Sequence, residues 1–245
     1  MHPVRTTTLS FPELDLPARA AHHLRGYFGS LFRDRSPLLH NHYADGTLRH
    51  AYPKVQYKVL DGVPTLIGVE EGADPLAELF LEVSELELEG RVYPLLDKCM
   101  RVEEVPAGVG DELLTYELGT LYMPLNQENH RRYVDLGDDG ERARFVDRIA
   151  VGHLLAAFKG MGVWLAPEER VFAKAQLSER ETGFKNIRMV AFAGTITTNA
   201  VVPEGIGIGK SVGRGFGALR LRRPGSPPRP RHRARHRDAG HARPA

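Results

Sequence analysis

Asp61-Gly62 separates two apolar, strand-forming segments, residues 55–60 and 65–69, and no other feature constrains the fold as much. Both residues tolerate the left-handed backbone of a tight two-residue turn, and such a turn joins neighbouring antiparallel strands. Asp45-Gly46 repeats the signal between residues 38–43 and 47–52, predicting a second hairpin or an ordered loop. A parallel sheet would need a long crossover where these turns stand.

Around the turns, strand and helix signals alternate. Residues 4–11 interleave threonine with apolar side chains and read as a strand, broken by Pro12 and Pro17. Leu24, Phe28 and Leu31 form one apolar stripe on a helix over 17–33, with Asp15 near its start and Pro17 in its first turn. A shorter helix is predicted over 75–83. The second half repeats the order: 113–123 and 133–136 read as extended, 141–159 as helix, and 171–177 and 184–197 as strands, followed by glycine-rich residues 205–217. The expected class is α+β, two compact units with antiparallel sheets. The division falls near Gly108, giving units 1–108 and 109–223. Residues 224–245, rich in arginine and proline and almost without packing side chains, form an expected disordered tail.

Charge is unevenly placed. Residues 218–245 hold nine arginines against Asp238 alone, so a formal net charge of +2 over 245 residues leaves the remainder negative. An RNA surface must therefore come from local clusters of base. Apolar runs such as 150–158 and 189–193 are far short of the roughly 20 residues of a membrane helix. The first residues lack a secretory pattern, so a cytoplasmic protein with no membrane partner is expected. The single cysteine, Cys99, excludes an internal disulfide and a multi-thiolate zinc site, and is expected to be a small buried hydrophobe.

Three stretches could carry chemistry. His40 and His42, if extended, share one face about 6.5 to 7 Å apart at Cα, a spacing that suits a single phosphate. One imidazole could accept the proton of a ribose 2′-hydroxyl while the other donates to the leaving 5′-oxygen. Spacing alone leaves two other readings open, solvated turn histidines and a metal-ligand pair. Residues 205–217 carry Gly207, Gly209, Gly215 and Gly217 with Lys210 and Arg214, a pattern suited to close backbone approach and phosphate contact. Gly209-Lys210-Ser211 resembles part of a nucleotide-binding P-loop, but Glu204 stands where that pattern wants glycine, and residues 212–217 start a helix poorly. A structural glycine turn is the other reading. Lys185 and Arg188, before an apolar strand, could touch RNA or simply cap a solvated strand end. Lys54 and Lys58 could stabilise developing negative charge, against the commoner reading of surface lysines.

Together, residues 24–29, 38–42, 52–58 and 192–199, and above all Gly207-x-Gly209 followed after five residues by Gly215-x-Gly217, resemble the CRISPR-associated repeat-processing endoribonucleases. These are the sixth Cas protein family, and the resemblance is to its branch with an N-terminal His-x-His pair. It implies two ferredoxin-like units side by side and metal-independent cutting of precursor CRISPR RNA, leaving a 2′,3′-cyclic phosphate or related 3′ end and a 5′-hydroxyl, with no cofactor. It implies His40 and His42 as catalytic residues, without saying which histidine is the base; Lys54, from the reading of the residues above, is added as a catalytic candidate. It implies RNA contact by the glycine-rich loop, hence Gly207, Gly209, Lys210, Arg214, Gly215 and Gly217, to which the reading of the residues adds Lys185 and Arg188 as candidates. CRISPR repeat RNA is the implied partner, with other Cas effector subunits or a second copy of the chain as further candidates. The other class of function kept open is a non-catalytic RNA-binding subunit of a CRISPR effector complex.

Overall fold

The computed structural model describes residues 1–31, 38, 51–184 and 187–223, and of Phe184, Ile187 and Arg188 the backbone only. The first half runs β1 (His2–Ser10), α1 (Ala21–Leu31), β2 (Val55–Leu60), β3 (Val63–Val69) and α2 (Asp74–Glu82), then the small hairpin β4 (Glu85–Leu88) and β5 (Arg91–Pro94). β6 (Cys99–Leu118) leads into the second half: α3 (Gln127–Asp135), α4 (Asp139–Gly160), β7 (Ala173–Phe184), β8 (Ile187–Val201) and β9 (Leu219–Leu221). Asp61 and Gly62 take φ of 52° and 86° and bring Leu60 opposite Val63, as a two-residue hairpin requires.

The main sheet runs β2-β3-β1-β6-β8-β7, with β9 also beside β6, and every pairing is antiparallel. β6 belongs to two sets of strands. Residues 99–107 pair with β1, residues 108–117 pair with β8, and the register shifts between Val109 and Leu114. Such a shift bends the strand between its two partners. The sets β2-β3-β1-β6 and β7-β8-β6-β9 have the same order, second, third, first and fourth strand, which is that of a ferredoxin-like βαββαβ unit. The fold is therefore two ferredoxin-like units sharing one long strand.

The units differ between their third and fourth strands. The first places α2 there, an amphipathic helix burying Leu76 and Leu79. The second places residues 202–218 there, with a single 3-10 turn, Val212–Arg214, as regular structure. This is the glycine-rich loop.

Alternation along β2 fixes where that loop lies. Val55, Tyr57 and Val59 point into the first core with Leu9, Phe11, Leu24, Phe28 and Leu66. Gln56 and Lys58 point the other way and are also fully buried, because the loop covers that face. A second core joins Tyr116, Leu154, Phe158, Ile196, Ile206, Ile208 and Leu219, and takes in Val4, Ile67 and Val69 from the first unit. Each fully buried aliphatic side chain of this kind contributes about 1.5 to 3 kcal/mol, so the seam between units is itself a source of stability.

Two expectations are corrected. Residues 133–136 are not extended: the Asn126 side chain accepts from the Asn129 N–H at 2.6 Å and starts α3. Tyr133 of that helix meets Phe192 of β8 edge to face, with ring centroids 5.9 Å apart. Its tyrosine-valine alternation mimics a strand, and the cap and this contact override it. Cys99 is exposed rather than buried, because it opens β6 where that strand is the edge of the first unit. Among the described residues no helix is long and apolar enough to cross a membrane.

Candidate RNA-binding site at the glycine-rich loop

The loop is held from beneath by polar side chains of the first unit. Gln56 Oε1 accepts from the Gly207 N–H at 2.8 Å, and Tyr52 donates its hydroxyl to the Gly207 carbonyl at 2.7 Å. Gln56 Nε2 donates to the same Tyr52 oxygen at 3.0 Å, closing a small network. Lys58 Nζ donates to the carbonyls of Val212 at 3.0 Å and Phe216 at 2.6 Å. Burial lowers the Lys58 ammonium to about 7. The surface-lysine reading of residue 58 is thus replaced by a buried strut.

Two glycines show why this stretch has little latitude. A Cβ at Gly207 would lie 2.6 Å from Lys58 Nζ and 2.7 Å from the Phe216 carbonyl oxygen. At Gly217, with φ +70°, it would lie 2.0 Å from the Ile208 carbonyl oxygen. The N–H groups of Gly207 and Gly217 already bond to Gln56 and to the Leu121 carbonyl. What these glycines provide is room, and the charge is provided by Lys210 and Arg214.

Basic side chains gather where the loop meets α1. Gly215 packs against Ala21 at the start of α1. Burial lowers the Arg25 guanidinium from its ordinary range, and the charge of Arg214 lowers it further. Burial also lowers His22, whose ring bonds to the Arg19 carbonyl, and Arg214 adds to that shift. Cations that raise one another's energy at a partly exposed seam are stabilised by an anion placed among them. On the loop's other flank, the Tyr122 hydroxyl and His153 Nδ1 are 2.7 Å apart. Burial lowers His153 to about 4, assisted by the charge of Lys210, so its imidazole is neutral at pH 7.

The other expected site residues stand as follows. Lys54 immediately precedes β2, with Nζ 2.7 Å from Glu71 Oε2. His40, His42 and Lys185 lie outside the described residues, as does the hairpin expected over 38–43 and 47–52 apart from Leu38, Ala51 and Tyr52. Leu38, two and four residues before the histidines, packs against the first core. The backbone of Arg188 pairs with Gly183 at the end of the β7–β8 hairpin, far along the sheet order from β2. Among the described residues no three His, Cys, Asp or Glu side chains converge as metal ligands. Sequence reading missed Tyr52, Gln56, Tyr122 and His153. Polar residues at alternate positions of an otherwise apolar strand, Gln56 and Lys58, were the available signal for the first pair of contacts.

The architecture defines a class: a double ferredoxin-like protein in which a glycine-rich loop replaces one helix and packs against the sheet of the other unit. Two family models match within it, the Cas6b N-terminal domain over residues 2–105 and the Cas6b C-terminal domain over residues 108–221. A crystal structure of a Cas6b is 30% identical, with a TM-score of 0.84, covering 90% of this chain and 100% of its own. Another, described as the CRISPR RNA processing endoribonuclease Cas6b, is 28% identical, with a TM-score of 0.70 and the same coverage. An uncharacterized protein of Methanocaldococcus jannaschii is 29% identical over 147 residues, 59% of this chain and 97% of that protein. The chain belongs to the Cas6b family.

Proposed function

We propose that this protein binds CRISPR repeat RNA and cuts it within the repeat, without metal, by attack of a ribose 2′-hydroxyl on the adjacent phosphate. The observation that carries the reading is the match to both Cas6b domains across one fold, together with a relative of the same architecture described as a CRISPR RNA processing endoribonuclease. One of His40 and His42 takes the 2′-hydroxyl proton and the other protonates the 5′-oxygen, so the products are a 2′,3′-cyclic phosphate or related 3′ end and a 5′-hydroxyl. Lys54, already beside Glu71, contributes positive charge near the chemistry.

The division of labour follows the two units, 1–108 carrying the catalytic histidines and 109–223 the glycine-rich loop. Lys210 and Arg214 contact phosphate, the close-packed glycines let the RNA backbone approach, and Lys185 and Arg188 extend the contact along the β7–β8 hairpin. The test is incubation with a labelled repeat RNA in excess EDTA, beside a copy with a 2′-deoxy sugar before the cut. Cleavage of the first alone supports the mechanism. Binding of both with cleavage of neither would make the protein an RNA-binding subunit instead.

A further inference from the structure

The Lys58 ammonium is buried between β2 and the loop, and among the described residues no carboxylate pairs with it. Glu71 pairs with Lys54 at 2.7 Å and Asp61 with Arg220 at 2.6 Å. Its two bonds go to the Val212 and Phe216 carbonyls, which bracket Arg214. A neutral amine has two N–H groups and can make both bonds, so the geometry is compatible with either protonation state. A negative group placed over the loop favours the charged state.

We propose that Lys58 is a positioning residue for RNA: a cation beneath the glycine-rich loop whose charge is completed when phosphate lies over the loop, so that RNA binding takes up a proton there. The proposal rests on the reading of the loop as an RNA-binding element. With burial lowering it to about 7 in the free protein, Lys58 is only partly charged near neutral pH, and a polyanion shifts it toward the ammonium. RNA affinity then falls as pH rises through the window between the free and bound values. The other groups facing this region are accounted for. Arg214 and Lys210 add positive charge around it, burial lowers the Arg25 guanidinium, Tyr52 and Tyr57 are pushed up by burial and stay neutral, and His22 and His153 are lowered by burial and contribute below neutrality.

The experiment is calorimetric titration of the full chain with a repeat RNA carrying a 2′-deoxy sugar at the cut, at pH 7.5, in two buffers of different ionisation enthalpy. The wild type is expected to take up about half a proton more than Lys58→Met. Its affinity should fall about tenfold more than the variant's between pH 6 and pH 9. Equal uptake by both proteins overturns the proposal. Should the variant not fold, lysines labelled at Cε in the wild type give the answer directly by NMR. One lysine titrating near neutrality and moving up by about a unit on RNA binding supports it, and none moving overturns it. RNA binding indifferent to loss of both Lys210 and Arg214 would fail the underlying reading, whereas loop-dependent binding without Lys58 titration would fail this inference alone.

Discussion

The two ferredoxin-like units share strand order yet fill the same slot differently, α2 in the first unit and residues 202–218 in the second. α2 satisfies its backbone internally and needs only an apolar stripe, so Leu76 and Leu79 suffice to seat it. The loop cannot satisfy itself that way. Besides bonds within its own unit, such as Ile208 N–H to the Gly217 carbonyl, its Gly207 amide and its Gly207, Val212 and Phe216 carbonyls are bonded by Gln56, Tyr52 and Lys58 from the other unit. A helix makes its slot self-contained; a loop makes it dependent on a neighbour, and leaves basic side chains at the surface where the units meet.

If chemistry belongs to the first unit and binding to the second, the sharpest break comes from His40→Ala or His42→Ala. Each should lower single-turnover cleavage by about a thousandfold while leaving RNA affinity within a factor of about two. A parallel loss of affinity in a gel-shift titration would collapse the division. Next, Gly217→Ala should cost about 3 kcal/mol, because its Cβ meets the Ile208 carbonyl at positive φ. Gly152→Ala, in α4 with open space around it, should be neutral or stabilising by up to about 1 kcal/mol. Urea melts giving equal costs at the two sites would show that the loop is no more constrained than a helix.

His153 gives a comparison in pH. Its folded value of about 4 lies below the ordinary 6.5, so between these values the unfolded chain binds a proton that the folded one refuses. Stability should therefore drop as pH falls from about 6.5 to 4, by about 3 kcal/mol from this group. His153→Gln should remove that part of the slope; identical acid melts for both proteins would assign the slope to other groups. The smallest effect per side chain is expected from Lys210→Ala and Arg214→Ala, about 1 kcal/mol of RNA affinity each, with the salt dependence reduced by about one unit per residue. An unchanged slope would place the phosphates elsewhere.

The sequence by itself determined the antiparallel α+β class, the Asp61-Gly62 hairpin, the helices over α1, α2 and α4, and the glycine-rich stretch. Each is a local matter of turn chemistry, side-chain period or missing Cβ, and local chemistry is written in consecutive residues. It also singled out the resemblance to the CRISPR repeat-processing endoribonucleases with an N-terminal His-x-His pair, which rests on spaced motifs. Only the tertiary structure decided that one 20-residue strand, β6, serves both units, that α3 is a helix because Tyr133 packs on Phe192, and that Cys99 lies exposed at a sheet edge. It alone decided the site's underside. Lys58 and Gly207 are 149 residues apart, and nothing local to either shows that a strand face and a glycine loop will meet and bury a lysine that, among the described residues, pairs with no carboxylate.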